Sequence, residues 1–131
     1  TKVHTTDTEF DIYGLSELPR VDIAYAYAGA DDLMINALAA AGVRGIVAAG
    51  LGSGGSPSKF MDGLRSAQKQ GCKVVISTQV GNGRVMRTRR FGEDGFIVAD
   101  NLAPKKARIL LMLALSKTND PGDIQRMMLT Y

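Results

Sequence analysis

The sequence predicts an α/β fold: a small three-layer domain with a mostly parallel sheet of about four strands and about four helices. Three observations carry this expectation. Short apolar runs at residues 21–28, 45–50, 73–78 and 96–100 alternate with stretches of helical period. One of those runs, GIVAAG at 45–50, is continuous, as a strand buried on both faces of a parallel sheet should be. The 131 residues suffice for one hydrophobic core and are too few for two full domains.

Taken in order, residues 1–20 mix Thr, Asp and Glu with Pro19 and hold no sustained period, so they read as an extended connector preceding a domain at 21–131. The opening TKVHTTDTEF lacks an initiator Met and the basic-then-apolar pattern of a secretion signal, and the chain reads as the second half of something longer. VDIAYAYA (21–28) has the β-branched and aromatic content of a strand. Leu33, Met34, Ala37, Leu38 and Ala41 follow at helical spacing, with Gly42 suited to the C-terminal turn. After GIVAAG comes a glycine loop, then Ser56 placed to cap a helix with Pro57 at its first position and Phe60, Met61, Leu64 and Ala67 on one face. KVVIST (73–78) is the next strand. Residues 79–95 are polar, punctuated by glycine and long for a connection, which favours a functional segment over a plain turn. FIVAD (96–100) is the last strand.

Two helices close the chain, one over about 104–117 and one from about Pro121 with Asp120 as its cap and Ile124, Met127, Met128 and Tyr131 on one face. ARILLMLAL (107–115) is apolar all round, so its second side needs a further layer, domain or subunit. In a sheet of this kind, ligands sit beyond the carboxyl ends of the strands, where the loops at 50–55 and 79–95 should both lie.

Composition narrows the chemistry. Hydrophobic residues make up 45% and charged residues 22%, a folded rather than a disordered balance. No apolar run approaches the roughly 18 residues needed to cross a membrane, so no membrane partner is expected. Net charge is +3, and only residues 84–90 form a local basic run. Arg84, Arg87, Arg89 and Arg90 have no interleaved aromatics for stacking, which predicts a solvated loop and no nucleic-acid partner. The single Cys72 excludes an intrachain disulfide. His4 stands among Thr5, Thr6, Asp7, Thr8 and Glu9, but an extended connector does not preorganise a site, so no metal and no cofactor are expected.

Gly50, Gly52 and Gly55 form a G-x-G-x-x-G pattern between a strand and a helix, the context of a dinucleotide loop. The rest of that fingerprint is missing: the following strand ends in Ser77, Thr78 and Gln79, not in the acid that would bind a ribose, and no phosphate-loop Lys follows. Gly52-Ser53-Gly54 has Leu51 where a nucleophile elbow needs glycine. The alternative is a tight turn that needs glycines for positive φ and close packing.

The phrases HTTDTEFDI, LPRVDIAYAYAGAD, GIVAAGLGSGG, KVVISTQVGNG and KKARILLMLALSKTNDPGDIQRMMLTY resemble the C-terminal domain of the bacterial type II L-asparaginases and glutaminase-asparaginases. The resemblance implies a missing, larger N-terminal domain that carries the catalytic threonines with an Asp-Lys pair, and so no catalytic residue in this chain. It implies that this domain of one subunit closes its neighbour's active site, in a homotetramer acting on L-asparagine or L-glutamine in the periplasm or outside the cell, with the cytoplasm also open. The family's polar glycine-loop position, near the substrate's α-ammonium, falls on Gly55, flanked by Ser53 and Ser56. The family's acid in the long loop would be met by Glu93, since the position itself falls near Thr88. A further departure is Ala103 where the family has Asn, a weaker helix cap by about 1 kcal/mol. The competing reading is a standalone module, either nucleotide-binding through the glycine loop or an assembly domain through the apolar helix.

Overall fold

A computed structural model describes residues 5–81 and 83–131, and its organising element is a sheet in which four strands pair in chain order. These are β1 (Val21–Tyr25), β2 (Gly45–Gly50), β3 (Lys73–Thr78) and β4 (Ile97–Val98), and every pairing is parallel. The helices are α1 (Leu33–Ala40), α2 (Ser58–Lys69), α3 (Arg89–Glu93), α4 (Pro104–Leu115) and α5 (Pro121–Thr130). The count exceeds the expected number by one, because α3 forms inside the 79–95 stretch read as loop. Thr88 caps it by accepting a hydrogen bond from the Phe91 amide at 3.3 Å, and Phe91 is buried.

Sequential parallel pairing has a geometric consequence. Crossovers of one hand that step one strand at a time lay their helices on one face of the sheet. Ile46, Ala48, Val74 and Ile76 accordingly pack with Ile35, Phe60, Leu64 and Phe91 of the crossover helices. The intervening residues Val47, Val75 and Ile97 point to the opposite face, where α4 and α5 supply Leu111, Ile124, Met127 and Met128. All six residues of GIVAAG are buried, as its continuous apolar pattern requires. Strand alternation thus divides the chain into two cores, and the three-layer architecture follows.

β4 is only two residues long and lies at the sheet edge. Its open side is closed by a side chain: the Gln125 amide accepts from the Val98 N–H at 2.9 Å and donates to the Val98 carbonyl at 3.0 Å. Gln125 so replaces the pairings a fifth strand would make, and no edge amide is left unpaired at that residue.

Several boundaries and faces differ from expectation. β1 and β4 are shorter than 21–28 and 96–100, because the residues around them turn into loops. On α1 the buried side is Ile35 and Ala39 with Leu38 packed against the core, while Leu33 and Met34 are exposed. The segment LMINALAA is so uniformly apolar that two helical faces fit its period. Packing against α2 selects one: a Cβ at Gly63 would stand 2.8 Å from Asp32 Cβ, so α1 approaches α2 closely there. Ser56 does not cap α2. Pro57 holds the N-cap position with φ −55° and ψ 151°, no side chain caps the helix, and Ser56 precedes the cap itself. Ala103 does stand at the N-cap of α4 without a side-chain acceptor, and Asp120 does cap α5 through the Asp123 amide at 2.9 Å.

α4 is covered within the chain over most of its circumference by the sheet and α5, leaving Ile109 exposed. The segment before β1 also docks there. Phe10 meets Tyr131 with ring centroids 5.2 Å apart, and Glu9 is gripped by α5. Among the described residues no helix is long and apolar enough to cross a membrane, and no group of three or more His, Cys, Asp or Glu is placed to hold a metal. His4 lies outside the described residues.

Candidate functional site

Because all strands run the same way, the segments leaving β2 and β3 emerge at one end of the sheet. The glycine loop after β2 is closed on itself: the Leu51 amide donates to the Gly55 carbonyl at 2.7 Å, and the Gly54 amide to the Leu51 carbonyl at 3.0 Å. Gly52 and Gly54 take φ of +54° and +101°, a region that glycine enters without steric cost. Gly50 is needed for closeness, since a Cβ there would stand 2.4 Å from the Gly54 carbonyl oxygen. The polar end of β3 fastens this turn. Thr78 Oγ1 donates to the Gly52 carbonyl, the Gln79 amide donates to Gly50 at 3.0 Å, and Gln79 Nε2 donates to the carbonyls of Ala26 and Ala49 at 2.6 and 2.8 Å.

These contacts decide between the two readings of the glycine pattern. Two loop amides are spent inside the turn instead of facing an anion, and the strand order contains no reversal that would open a nucleotide crevice. Of the Ser77-Thr78-Gln79 ending, which argued against a ribose site, Thr78 and Gln79 are the clamp that shapes the loop, while the Ser77 hydroxyl donates to the Leu102 carbonyl at 3.0 Å. Gln79 carried no functional signal in the sequence, because a glutamine at a strand end is unremarkable until its partners are known.

The loop after β3 returns over the glycine turn. The Val85 amide donates to the Asp100 carbonyl at 2.8 Å, and Arg84 Nε meets Asp100 Oδ1 at 3.0 Å. Between the two loops lies a cleft of about 360 Å³. Ser53, Gly55 and Ser56 line one side; Arg84, Thr88 and Arg90 line the other, with apolar surface from Met61, Met86 and Phe91. Sequence reasoning placed the first three residues together, and the structure brings them to one cavity. Arg84 and Arg90 border it too, and they are exposed, as a solvated run predicts.

Glu93 is not in this cleft. It ends α3, four residues from Arg89, and pairs with Arg89 Nε at 2.9 Å; it lines a separate depression beside Arg65, Gln68 and Lys69. The helical turn that makes this pair carries its carboxylate away from the serines. Asp94 is engaged as well, by a two-pronged contact from Arg65 at 2.9 and 3.0 Å, and that hydrogen bonding holds its carboxyl below the ordinary range. Cys72 is buried with Sγ 3.1 Å from the Val43 carbonyl, and burial raises its thiol. It plays no part at the cleft.

Neither Ser53 nor Ser56 has a basic side chain hydrogen-bonded to it among the described residues. An unassisted serine hydroxyl is a weak nucleophile at neutral pH. The arrangement is an α/β domain with a cleft of hydroxyl and cationic residues at the carboxyl ends of its strands, in which no base is hydrogen-bonded to either serine among the described residues. The chain belongs to the glutaminase/asparaginase C-terminal domain family, whose model matches residues 20–128. It is 46% identical over 125 residues to L-asparaginase 2 of Bacillus subtilis (strain 168), covering 95% of this chain and 33% of that protein. It is 43% identical to the glutaminase-asparaginase of Pseudomonas fluorescens biotype A, covering 99% of this chain and 37% of that one. The crystal structure of a probable cytoplasmic L-asparaginase from Campylobacter jejuni superposes with a TM-score of 0.95 at 44% identity, over 99% of this chain and 43% of the other. The chain thus spans about a third of the length of the curated relatives it matches.

Proposed function

We propose that this chain forms the C-terminal, subunit-bridging half of an L-asparaginase, an amidohydrolase that converts L-asparagine, with L-glutamine as the second amide, to the acid and ammonia. The carrying observation is the cleft itself: Ser53, Gly55 and Ser56 meet at the carboxyl ends of the strands with no nucleophile-base pair beside them among the described residues, in a chain that matches only part of relatives named for this reaction. In this reading the nucleophilic threonines and their Lys and Asp partners belong to an N-terminal domain. The serine hydroxyls and the Gly55 backbone close a neighbouring subunit's site within a homotetramer, positioning the amide substrate and excluding water. Glu93, held by Arg89, takes no part.

The test is ammonia release from L-asparagine by the chain alone and after mixing with the matching N-terminal portion. The chain alone should release none, and the mixture should regain turnover. Ammonia production by the isolated chain would overturn this division of labour.

A further inference from the structure

The two serines that line the cleft hold themselves in place by little. Ser53 is exposed, Ser56 is half-buried, and neither hydroxyl bonds to another described residue. Their positions therefore follow from the backbone between β2 and α2. The bonds inside the turn, from Leu51 to Gly55 and from Gly54 to Leu51, give it a shape but no place on the sheet. Gly54 rests on Ile76 and Val85, where a Cβ would stand 2.9 and 3.1 Å from their methyl groups, but an apolar contact has no preferred direction. Directional anchoring comes from the end of β3. Thr78 Oγ1 donates to the Gly52 carbonyl, the Gln79 backbone amide to Gly50, and Gln79 Nε2 to Ala26 at 2.6 Å and Ala49 at 2.8 Å. Gln79 thus joins the exit of β1, the end of β2 and the end of β3 at the point where the glycine loop departs.

We propose that Gln79 is a positioning residue for the amide substrate: by tying three strand ends together it sets where Ser53 and Ser56 stand, with Thr78 as the second anchor. This assignment rests on the proposed function for its substrate. Gln79 acts through the loop and not on the substrate. An amide spends both N–H donors on the two carbonyls, so a side chain without donors releases both at once and lets the loop shift. Hydroxyls displaced by a fraction of an ångström bind ground state and transition state less well alike, which raises KM and spares kcat.

Steady-state ammonia release from L-asparagine by the reconstituted protein tests this. Gln79→Met should raise KM about three- to tenfold, no more than loss of both serine hydroxyls would, with kcat within about twofold. In a Ser53→Ala, Ser56→Ala background the same change should add less than about twofold, because the groups it positions are gone. Gln125→Met is the control. It also removes two hydrogen bonds to strand backbone, at Val98, but Gln125 lines a separate depression, so its urea midpoint should fall while KM stays within about twofold. Thr78→Val carries the same test if Gln79→Met does not fold. An unchanged KM, an equal rise in Gln125→Met, a full effect in the background lacking both serines, or a fall in kcat alone would each overturn the proposal and leave the asparaginase reading standing. If the reconstituted wild type releases no ammonia, that reading falls instead, and the Ser53 and Ser56 amide resonances of the full chain decide for Gln79. Shifts in Gln79→Met but not in Gln125→Met keep it as the residue that sets the loop; resonances unmoved by Gln79→Met reject it.

Discussion

Three glycines of one loop do different work. At Gly50 a side chain would run into the Gly54 backbone, whereas at Gly55 a Cβ would meet nothing within 4 Å, and φ there is not positive. Gly50→Ala should therefore cost about 1–3 kcal/mol, as overpacking does, measured by urea unfolding. Gly55→Asn should leave stability within about 0.5 kcal/mol and, in the reconstituted protein, lower KM for asparagine by adding a side-chain contact. A large loss of stability in Gly55→Asn would show that the loop is closed where it reads as open. The sequence showed all three glycines with equal weight, since the pattern G-x-G-x-x-G records spacing and not what surrounds each Cα. Their separation became visible only with β3 in place, because Thr78 and Gln79 set the loop's path.

At the scale of elements, strands were legible and helix faces less so. GIVAAG and KVVIST declared themselves because a strand buried on both sides has no polar residue to confuse it. α1 did not, since nearly every position is apolar and only packing against α2 chooses between Ile35 and Leu33. α3 was hidden for another reason: a single turn of five residues carries almost no period, and its cap, Thr88, is common in loops. The connector proves to be an element that is held, and by charge. Glu9 accepts a two-pronged pair from Arg126, with both distances at 2.9 Å, and contacts Lys117 at 3.3 Å and the Tyr131 hydroxyl at 3.0 Å. Chiefly through the Arg126 hydrogen bonds, its carboxyl falls from an ordinary 4.5 to about 2. A folded-state value below the unfolded one means that the attachment is at full strength above pH 4.5, weakens as pH falls, and is lost near pH 2. Amide exchange over residues 9–18, corrected for intrinsic rates, should accelerate through that window and stay flat in Glu9→Gln, which should already be loose at neutral pH. Identical profiles for the two proteins would mean that Phe10 and Tyr131, not the ion pair, hold the connector.

The whole molecule separates support from contact. Two helical layers and two cores fix a sheet whose carboxyl-end loops are free to present side chains, and none of the cleft-lining hydroxyls belongs to a core. This general plan was readable in the sequence, because alternating strands and helices in a single domain leave few architectures. The cleft's second wall was not: Arg84, Thr88 and Arg90 reach it only through the Val85–Asp100 bridge, a pairing across fifteen residues that no local pattern announces. If the domain binds and another domain performs the attack, the two kinds of damage should separate kinetically. Binding lost equally from ground state and transition state raises KM and spares kcat, whereas loss of an attacking group removes kcat. In the reconstituted protein, Ser53→Ala with Ser56→Ala should raise KM for asparagine about three- to tenfold, the worth of one or two neutral hydrogen bonds, with kcat held within about twofold. Steady-state ammonia release across a range of asparagine concentrations measures both. A fall in kcat of three orders of magnitude with KM unchanged would place the reacting group on this chain, and the cleft would have to be read as a catalytic centre after all.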